Sequence, residues 1–383
     1  MGELQERRVV ELIRDKKRFA QLEKEWNRLA EPLGSPLMCH DWLFSCAEAF
    51  HNDGDLRIVV LWSDGKVVAA APLAAKKRWG IEYLELLGVS YLSEPSGLLY
   101  DNEKSLKDLV NAVLEMGQPV VLQKMTGCSP SGNLLNGEQK IKTIVISRPP
   151  AGSVYIPITT TWEEFWNSLQ SRRRYDFRRA RKKAEKEGKI TVKIMCPEYK
   201  DLSSHLEAAF TIEASGWKGR KGSAILKNER LQHFFETYAG LACKERKLRL
   251  CFLHIADDPV AMQIGVQYAN RFWVLKIGYD EKWGKCSPGM QLAYETMRHA
   301  FDQGLESYEW LGTDEDWLHA WPVEIHDCTS VGFYPMVAAG LYGLGMDLSD
   351  FVFRRLARKA GGNKKIIVTG GNKRAALAIN RAL

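Results

Sequence analysis

Apolar residues first recur at spacings of three and four. Phe19, Leu22, Trp26 and Leu29 predict a helix over 14–31, stopped at Pro32. Asp41 can cap a second helix that runs to Phe50. The period then drops to two. Residues 56–62 and 66–75 flank Asp64-Gly65, the pattern of a β-hairpin. A third strand is expected over 81–87, a helix over 103–116 and a strand over 119–125. The stretch 126–139 is polar and glycine-rich, hence a loop, and 141–147 reads as another strand.

The second half repeats this grammar. Trp162, Phe165, Trp166 and Leu169 share one face of a helix over 161–170, and 172–187 continues as a basic helix ended by Gly188. A strand is expected at 190–195 and helices at 202–216 and 226–245. Residues 248–256, 260–268 and 272–279, separated by Asp257-Asp258-Pro259 and Ala269-Asn270, predict an antiparallel meander. A helix over 288–303 and a strand over 306–311 close the series. The order of helices, meander, helix and strand thus occurs twice, and Arg148-Pro149-Pro150 marks a boundary. We expect a mixed α/β protein with domains over 1–150 and 151–345 and a basic tail over 346–383.

Charge sharpens this picture once it is located. The net charge is +7, from 54 Lys and Arg against 47 Asp and Glu. Between Arg172 and Lys193 there are 11 bases and 3 acids, and from Phe351 to Leu383 there are 9 bases and no acid. The rest of the chain is acidic. One basic helix and one basic tail are unlike the uniformly basic face of a general nucleic-acid binder. Three acids cannot neutralise eleven bases through i,i+4 pairs, so the helix either binds an anion or is a solvated face. Continuing the stripe of Trp166 and Leu169 through Phe177, Ala180 and Ala184 puts Arg173 on the apolar side, where it would pair with a carboxylate or an anionic ligand.

The eight cysteines form no C-x-x-C and no ligand spacing with histidine, so reduced thiols and no metal site are expected. The first thirty residues lack an apolar signal core, and no run of 18 apolar residues occurs. A cytoplasmic protein is expected, held peripherally at the inner membrane face if the 351–383 tail meets anionic lipid. No Ser-x-Gly elbow suggests covalent catalysis. Ser287 and Pro288 fit the N-cap and N1 positions of a helix that follows a strand, so its first N–H groups would open toward an anion, with Lys285 just upstream.

Three segments carry a family resemblance: SRRRYDFRRARKKAEKEG (171–188), IEASGWKGRKGSAI (212–225) and FWVLKIGYDEKWGKCSPGMQLAYETMRHAFDQGLESYEWLG (272–312). Together they resemble the GNAT-like acyltransferases of the CelD type, found with bacterial exopolysaccharide synthesis. That family is built as tandem GNAT-like domains, as are the Fem-type aminoacyl-tRNA-dependent ligases. The resemblance covers about 155–320 and implies two tandem domains, each a mostly antiparallel meander flanked by helices. It also implies acyl transfer from an acyl-CoA thioester, acetyl-CoA first, to an amine or hydroxyl of a sugar, another small molecule or a cell-envelope precursor.

On that resemblance the donor site is Lys285, Ser287 and Gly289, with Lys276 reaching the cleft or pointing to water. Ser287-Pro288-Gly289-Met290-Gln291-Leu292 stands where the family has G-x-G-x-x-L, with Ser287 replacing the first glycine and Gly284 standing where Gln or Arg is usual. Glu213 or Asp280 would accept the proton, and Tyr279 would protonate a leaving thiolate. Trp217, Lys218, Asp314 and Trp317 would contact the acceptor. Each also has a structural reading: Glu213 as a solvated helix end, Trp217 as a core plug, Tyr279-Asp280 as a turn, Asp314 to Trp317 as a capped short helix. A tRNA-dependent transferase, with the basic helix on tRNA, and a non-enzymatic membrane-associated module remain the alternatives.

Overall fold

The structure, a computed structural model, describes residues 8–126, 141–148, 152–216, 222 and 224–360, with side chains as far as Val352. The chain opens with β1 (Arg8–Ile13), α1 (Lys16–Ala20), α2 (Glu23–Ala30), α3 (His40–Phe50), β2 (Ile58–Ser63) and β3 (Lys66–Ala71). There follow β4 (Leu73–Arg78), β5 (Ile81–Leu86), α4 (Val89–Leu92), β6 (Leu99–Tyr100), α5 (Glu103–Leu114), β7 (Val120–Thr126) and β8 (Thr143–Arg148). The middle of the chain supplies β9 (Ser153–Pro157), α6 (Trp162–Ser168), α7 (Ser171–Glu187), β10 (Ile190–Met195), α8 (Leu202–Ser215) and α9 (Glu229–Lys244). Then come β11 (Leu248–Ile255), β12 (Asp258–Tyr268), β13 (Arg271–Tyr279), α10 (Pro288–Asp302), β14 (Ser307–Leu311) and β15 (Glu324–His326). The described part ends with β16 (Cys328–Pro335) and α11 (Ala338–Ala360).

These elements divide into two compact units, one from residues 8–33, 37–148 and 327–360, the other from Gly34–Pro36 and Gly152–His326. The first holds an antiparallel sheet β1-β2-β3-β6 and a mixed sheet β4-β5-β7-β16-β8, in which only β5 and β7 run parallel. Asp64 and Gly65 both adopt positive φ, as the tight β2–β3 turn requires. The second unit is a seven-stranded sheet, β10-β11-β12-β13-β14-β9-β15, whose one parallel pair is β13–β14. Helices α6, α7 and α10 cover one face and α8 and α9 the other. The fold is mixed α/β, with mixed sheets flanked by helices.

Local expectations change in several places: Asp41 lies inside α3 rather than capping it, the strand expected over 66–75 breaks at Pro72 into β3 and β4 of different sheets, and β1 was not expected. The helix over 14–31 is two helices, because Leu22 N–H turns back to the Phe19 carbonyl and tightens the chain between them. The expected run from 161 through 187 is likewise broken, since Leu169 takes ψ 147° and α7 restarts at Ser171. Strand β1 has exposed Val9 and Val10 and pairs only with β2, so it shows no clean alternation. The expected second domain, 151–345, ends at His326, because β16 hydrogen-bonds between β7 and β8 in the first unit. Tyr334 of β16 is fully buried there.

Helix α11, which falls across the expected start of the tail, is tied to that sheet by a polar anchor. Buried Asp347 accepts from Tyr334 Oη and, at 3.1 Å, from Arg78 Nη1, while Asp350 takes Arg78 Nη2 at 3.1 Å. Burial, and then the hydrogen bond to Asp347, raise the Tyr334 pKa well above its ordinary value. Asp347→Ala strands both donors, so it should cost about 3 kcal/mol of unfolding free energy, against about 1 kcal/mol for Tyr334→Phe. Urea titration of the full chain measures both. A loss below about 1 kcal/mol in Asp347→Ala would show that α11 is held by other contacts.

Candidate functional site

The site grows out of a defect in the second sheet. β13 and β14 pair in parallel over three positions only, Arg271 with Ser307, Phe272 with Tyr308 and Trp273 with Glu309. Each strand then carries an extra residue. Val274 and Lys276 of β13 face consecutive residues of β12, so Leu275 is a bulge. Glu309 and Leu311 of β14 face consecutive residues of β9, so Trp310 is a second. Past Trp273 and Glu309 the two strands no longer pair, which leaves a gap in the hydrogen bonding in the middle of the sheet.

The Leu275 bulge also shifts the side-chain alternation. Phe272 and Val274 lie in the core on the α10 side, and past the bulge Ile277 and Tyr279 pack against that same core. Lys276 and Gly278 consequently face α8. Strict alternation puts Val274 with Lys276, and the bulge separates them. Lys276 neither points to water nor stands alone in a cleft: its Nζ lies 3.3 Å from Glu213 Oε1. Glu213 is fully buried near the end of α8, and its Oε2 accepts the Ile225 N–H at 2.9 Å. Gly278 makes this approach possible, since a Cβ there would lie 2.7 Å from Glu213 Cα. Glu213, expected as a base or a solvated helix end, is instead the buried half of an ion pair.

Tyr279 ends β13 half-buried against the α10-side core. Asp280 follows and caps a 3₁₀ turn, Glu281–Cys286, by accepting Lys282 N–H at 3.0 Å. Asp280 also borders an open groove of about 430 Å³ lined by Ser204, Glu207, Thr211 and Ser215 of α8 and by Pro259. The expected cap at Ser287 is absent. Ser287 takes φ 48° and ψ 54°, a left-handed conformation from which its hydroxyl makes no cap hydrogen bond, since capping requires extended backbone. Pro288 does occupy the first turn of α10. Lys285 is exposed just before it, and a Cβ on Gly289 would stand 3.3 Å from the Tyr279 ring. Thus Tyr279 and Gly289 are brought together, as are Glu213 and Lys276.

Other expected residues lie apart. Arg173 is exposed, because the break at Leu169 resets the helical phase; Arg174, Phe177, Arg181 and Ala184 turn inward instead. Arg174 bonds Asn167 and Arg181 pairs with Glu295, both at 2.9 Å. Asp314 is 3.0 Å from His319, and Trp317 donates to Glu315 while packing edge-on to Trp310. No side chain caps that turn. Trp217 and Lys218 lie outside the described residues.

Sequence reasoning missed three features. Gln291, on the buried side of α10, donates to the Cys286 carbonyl at 2.7 Å, and its Oε1 is buried with no partner among the described residues. The indole N–H of bulged Trp310 is buried and unpaired in the same way. Fully buried Glu309 takes His326 Nε2 at 2.9 Å and the Ser307 hydroxyl, and the His326 ring stacks 3.7 Å over Tyr155. The one available signal was Gln291 and Thr296 as polar residues on an otherwise apolar stripe. Cys286 is buried and its thiol pKa is raised chiefly by that burial, which suits a structural rather than a nucleophilic sulfur. Among the described residues no group of three His, Cys, Asp or Glu could hold a metal ion.

Comparison with known proteins places this geometry. Residues 171–318 match the model of the acetyltransferase (GNAT) domain, a match that spans α7 through β14 and supports acyl transfer in general. It is to the GNAT domain as such and does not reach the CelD type. The chain is similar in fold to FemX, with a TM-score of 0.57 and 14% identity over 88% of this chain and 99% of that one. It is also similar to the C-terminal domain of an Agrobacterium fabrum protein described as a lysylphosphatidylglycerol synthetase, with a TM-score of 0.50 and 10% identity over 91% and 100%. No match was found among curated proteins.

The Glu213–Lys276 pair makes a direct test of burial. Lys276→Met keeps the stem and removes the cation, which leaves a carboxylate in the core and should cost about 3–5 kcal/mol in urea unfolding. Adding Glu213→Gln should recover most of that loss. A single variant as stable as wild type would mean that water reaches the carboxylate.

Proposed function

We propose that the second unit transfers an acyl group from an acyl-CoA thioester, acetyl-CoA first, to an amine or hydroxyl of a small-molecule, glycan or cell-envelope acceptor. The observation that carries this is the gap between β13 and β14, bordered by two bulges and by the start of α10. The residues there suit such a donor. The first-turn N–H groups of α10 and the exposed Lys285 offer charge and hydrogen bonds to a pyrophosphate. When bound, the thioester supplies the acyl carbon. The acceptor forms its bond to that carbon and gives its proton to a base, the C–S bond breaks, and the thiolate leaves, with the Tyr279 hydroxyl beside Gly289 as the group that returns a proton to it.

Of the two carboxylates expected as base, we favour Asp280. It borders the groove and is partly exposed, whereas Glu213 is closed off and paired with Lys276. The Fem-like, aminoacyl-tRNA-dependent reading keeps one observation in its favour beside the fold likeness. Along α7, Arg172, Arg173, Arg178, Arg179, Lys182 and Lys183 are all exposed, a surface suited to a polyanion.

Calorimetric titration of acetyl-CoA into the full chain separates these readings. Wild type should bind, and Lys285→Glu, an exposed charge reversal, should weaken binding about tenfold with an unchanged melting temperature. Asp280→Asn should lower turnover by about 10²–10⁴ while leaving that binding intact, the usual range for a general base. Equal affinity of Lys285→Glu and wild type would remove the donor site from the start of α10. A wild type that binds tRNA and no acetyl-CoA would favour the second reading.

A further inference from the structure

The helix α11 is packed inside out. The residues it turns toward its sheet are Gly340, Gly343 and Asp347, all buried at spacings of three and four. Gly343 sits so close that a Cβ would meet Pro119 Cγ at 2.6 Å and Tyr83 Oη at 3.0 Å. The Tyr83 hydroxyl donates to the Gly343 carbonyl at 3.0 Å, and Asp347 and Asp350 hold Arg78. Small and polar residues therefore dock the helix. An amphipathic helix of a globular unit does the reverse and buries its apolar stripe.

What α11 exposes is apolar. Leu341 is 46% exposed, Leu348 48%, Phe351 59% and Val352 53%, and Met336 and Val337 of the preceding turn extend the patch. Leu341, Leu348 and Val352 recur at spacings of seven and four, so they form one stripe along the outer side. Every exposed residue from Met336 to Val352 is uncharged, since Asp347 and Asp350 are turned to Arg78. The sequence that follows, residues 353–383, adds nine Lys and Arg and no Asp or Glu.

We infer that the outer face of α11 docks onto an anionic lipid surface, with its apolar stripe in the interface and the basic segment after it on the headgroups. Charge selects this occupant. A single apolar face gives marginal membrane binding, and a polybasic segment beside it supplies the second attraction that makes docking stable. A second copy of this chain would bring another segment with nine bases and no acid to the same face, which repels. Among the described residues no helix is long and apolar enough to cross a membrane, so the contact lies in the plane of the surface.

The test is independent of any acyl transfer and uses the full chain. Wild type is co-sedimented with phosphatidylcholine vesicles and with vesicles containing about one-third phosphatidylglycerol. It should pellet with the anionic vesicles only, and less so as salt rises. The variant Leu341→Ser/Leu348→Ser/Val352→Ser changes exposed side chains and keeps the charge, so its melting temperature should hold while its partition coefficient falls about tenfold or more. Sedimentation velocity of both proteins without lipid is the companion measurement. Wild type that stays in solution with anionic vesicles would overturn the inference, as would a variant that pellets like wild type. A wild-type dimer that the variant dissolves would overturn it too, in favour of a second copy on this face.

Discussion

Everything distinctive in the second unit depends on a parallel pairing that stops after three residues. A sheet of seven strands loses hydrogen bonds wherever two neighbours part, and unpaired backbone groups in an interior are costly. Here the loss sits between β13 and β14, in the middle of the sheet, and bulges at Leu275 and Trp310 stand on either side of it. A bulge re-aims side chains as well as ending pairing. That is why Lys276 meets Glu213 on one face while Tyr279 meets Gly289 on the other. The opening and the arrangement of the residues around it have one cause.

The two faces of this sheet differ in kind. On the α10 side, Phe272, Val274, Leu292, Met297, Tyr308 and Trp310 form an apolar core with only Gln291, Thr296 and Gln263 as polar inclusions. On the opposite side the sheet buries two carboxylates, Glu213 beside Lys276 and Glu309 beside His326. The Glu213–Lys276 pair is not an economical way to gain stability, because desolvating both charges offsets most of their attraction.

Much of this was legible in the chain, for identifiable reasons. The Asp64-Gly65 hairpin, the meander over β11–β13 and the start of α10 at Pro288 follow from local turn chemistry and periodicity, which are strong where a turn forces one geometry. What escaped depends on tertiary context. β16 fills a place between β7 and β8 that lies some two hundred residues away in sequence, so no local pattern announces its partner. Arg173 was placed by extending one helical phase across Leu169, where the backbone leaves the helix. Ser287 has the composition of a cap and the wrong dihedral angles for one. Leu275 reads as an ordinary strand residue, and only its pairing with β12 shows that it is extra.

The candidate site was legible as a set of neighbours and not as a set of roles. Glu213 stands three residues before Gly216-Trp217, and Lys276 stands on a strand before the expected donor segment, so both invite functional readings. Their burial reassigns them. A carboxylate with no exposed surface, one oxygen on a backbone N–H and the other 3.3 Å from the Lys276 Nζ, is closed to an acceptor. Asp280 is the opposite case. Its neighbours suggest a turn, and it does cap one, yet it remains at the rim of the groove beside α8. Capping uses a carboxylate oxygen as acceptor from one N–H and leaves acceptor capacity on the second oxygen. A residue that caps the turn between β13 and α10 is therefore fixed in place by the same segment that would hold the donor. Asp280 and the first turn of α10 are thereby held by one short segment.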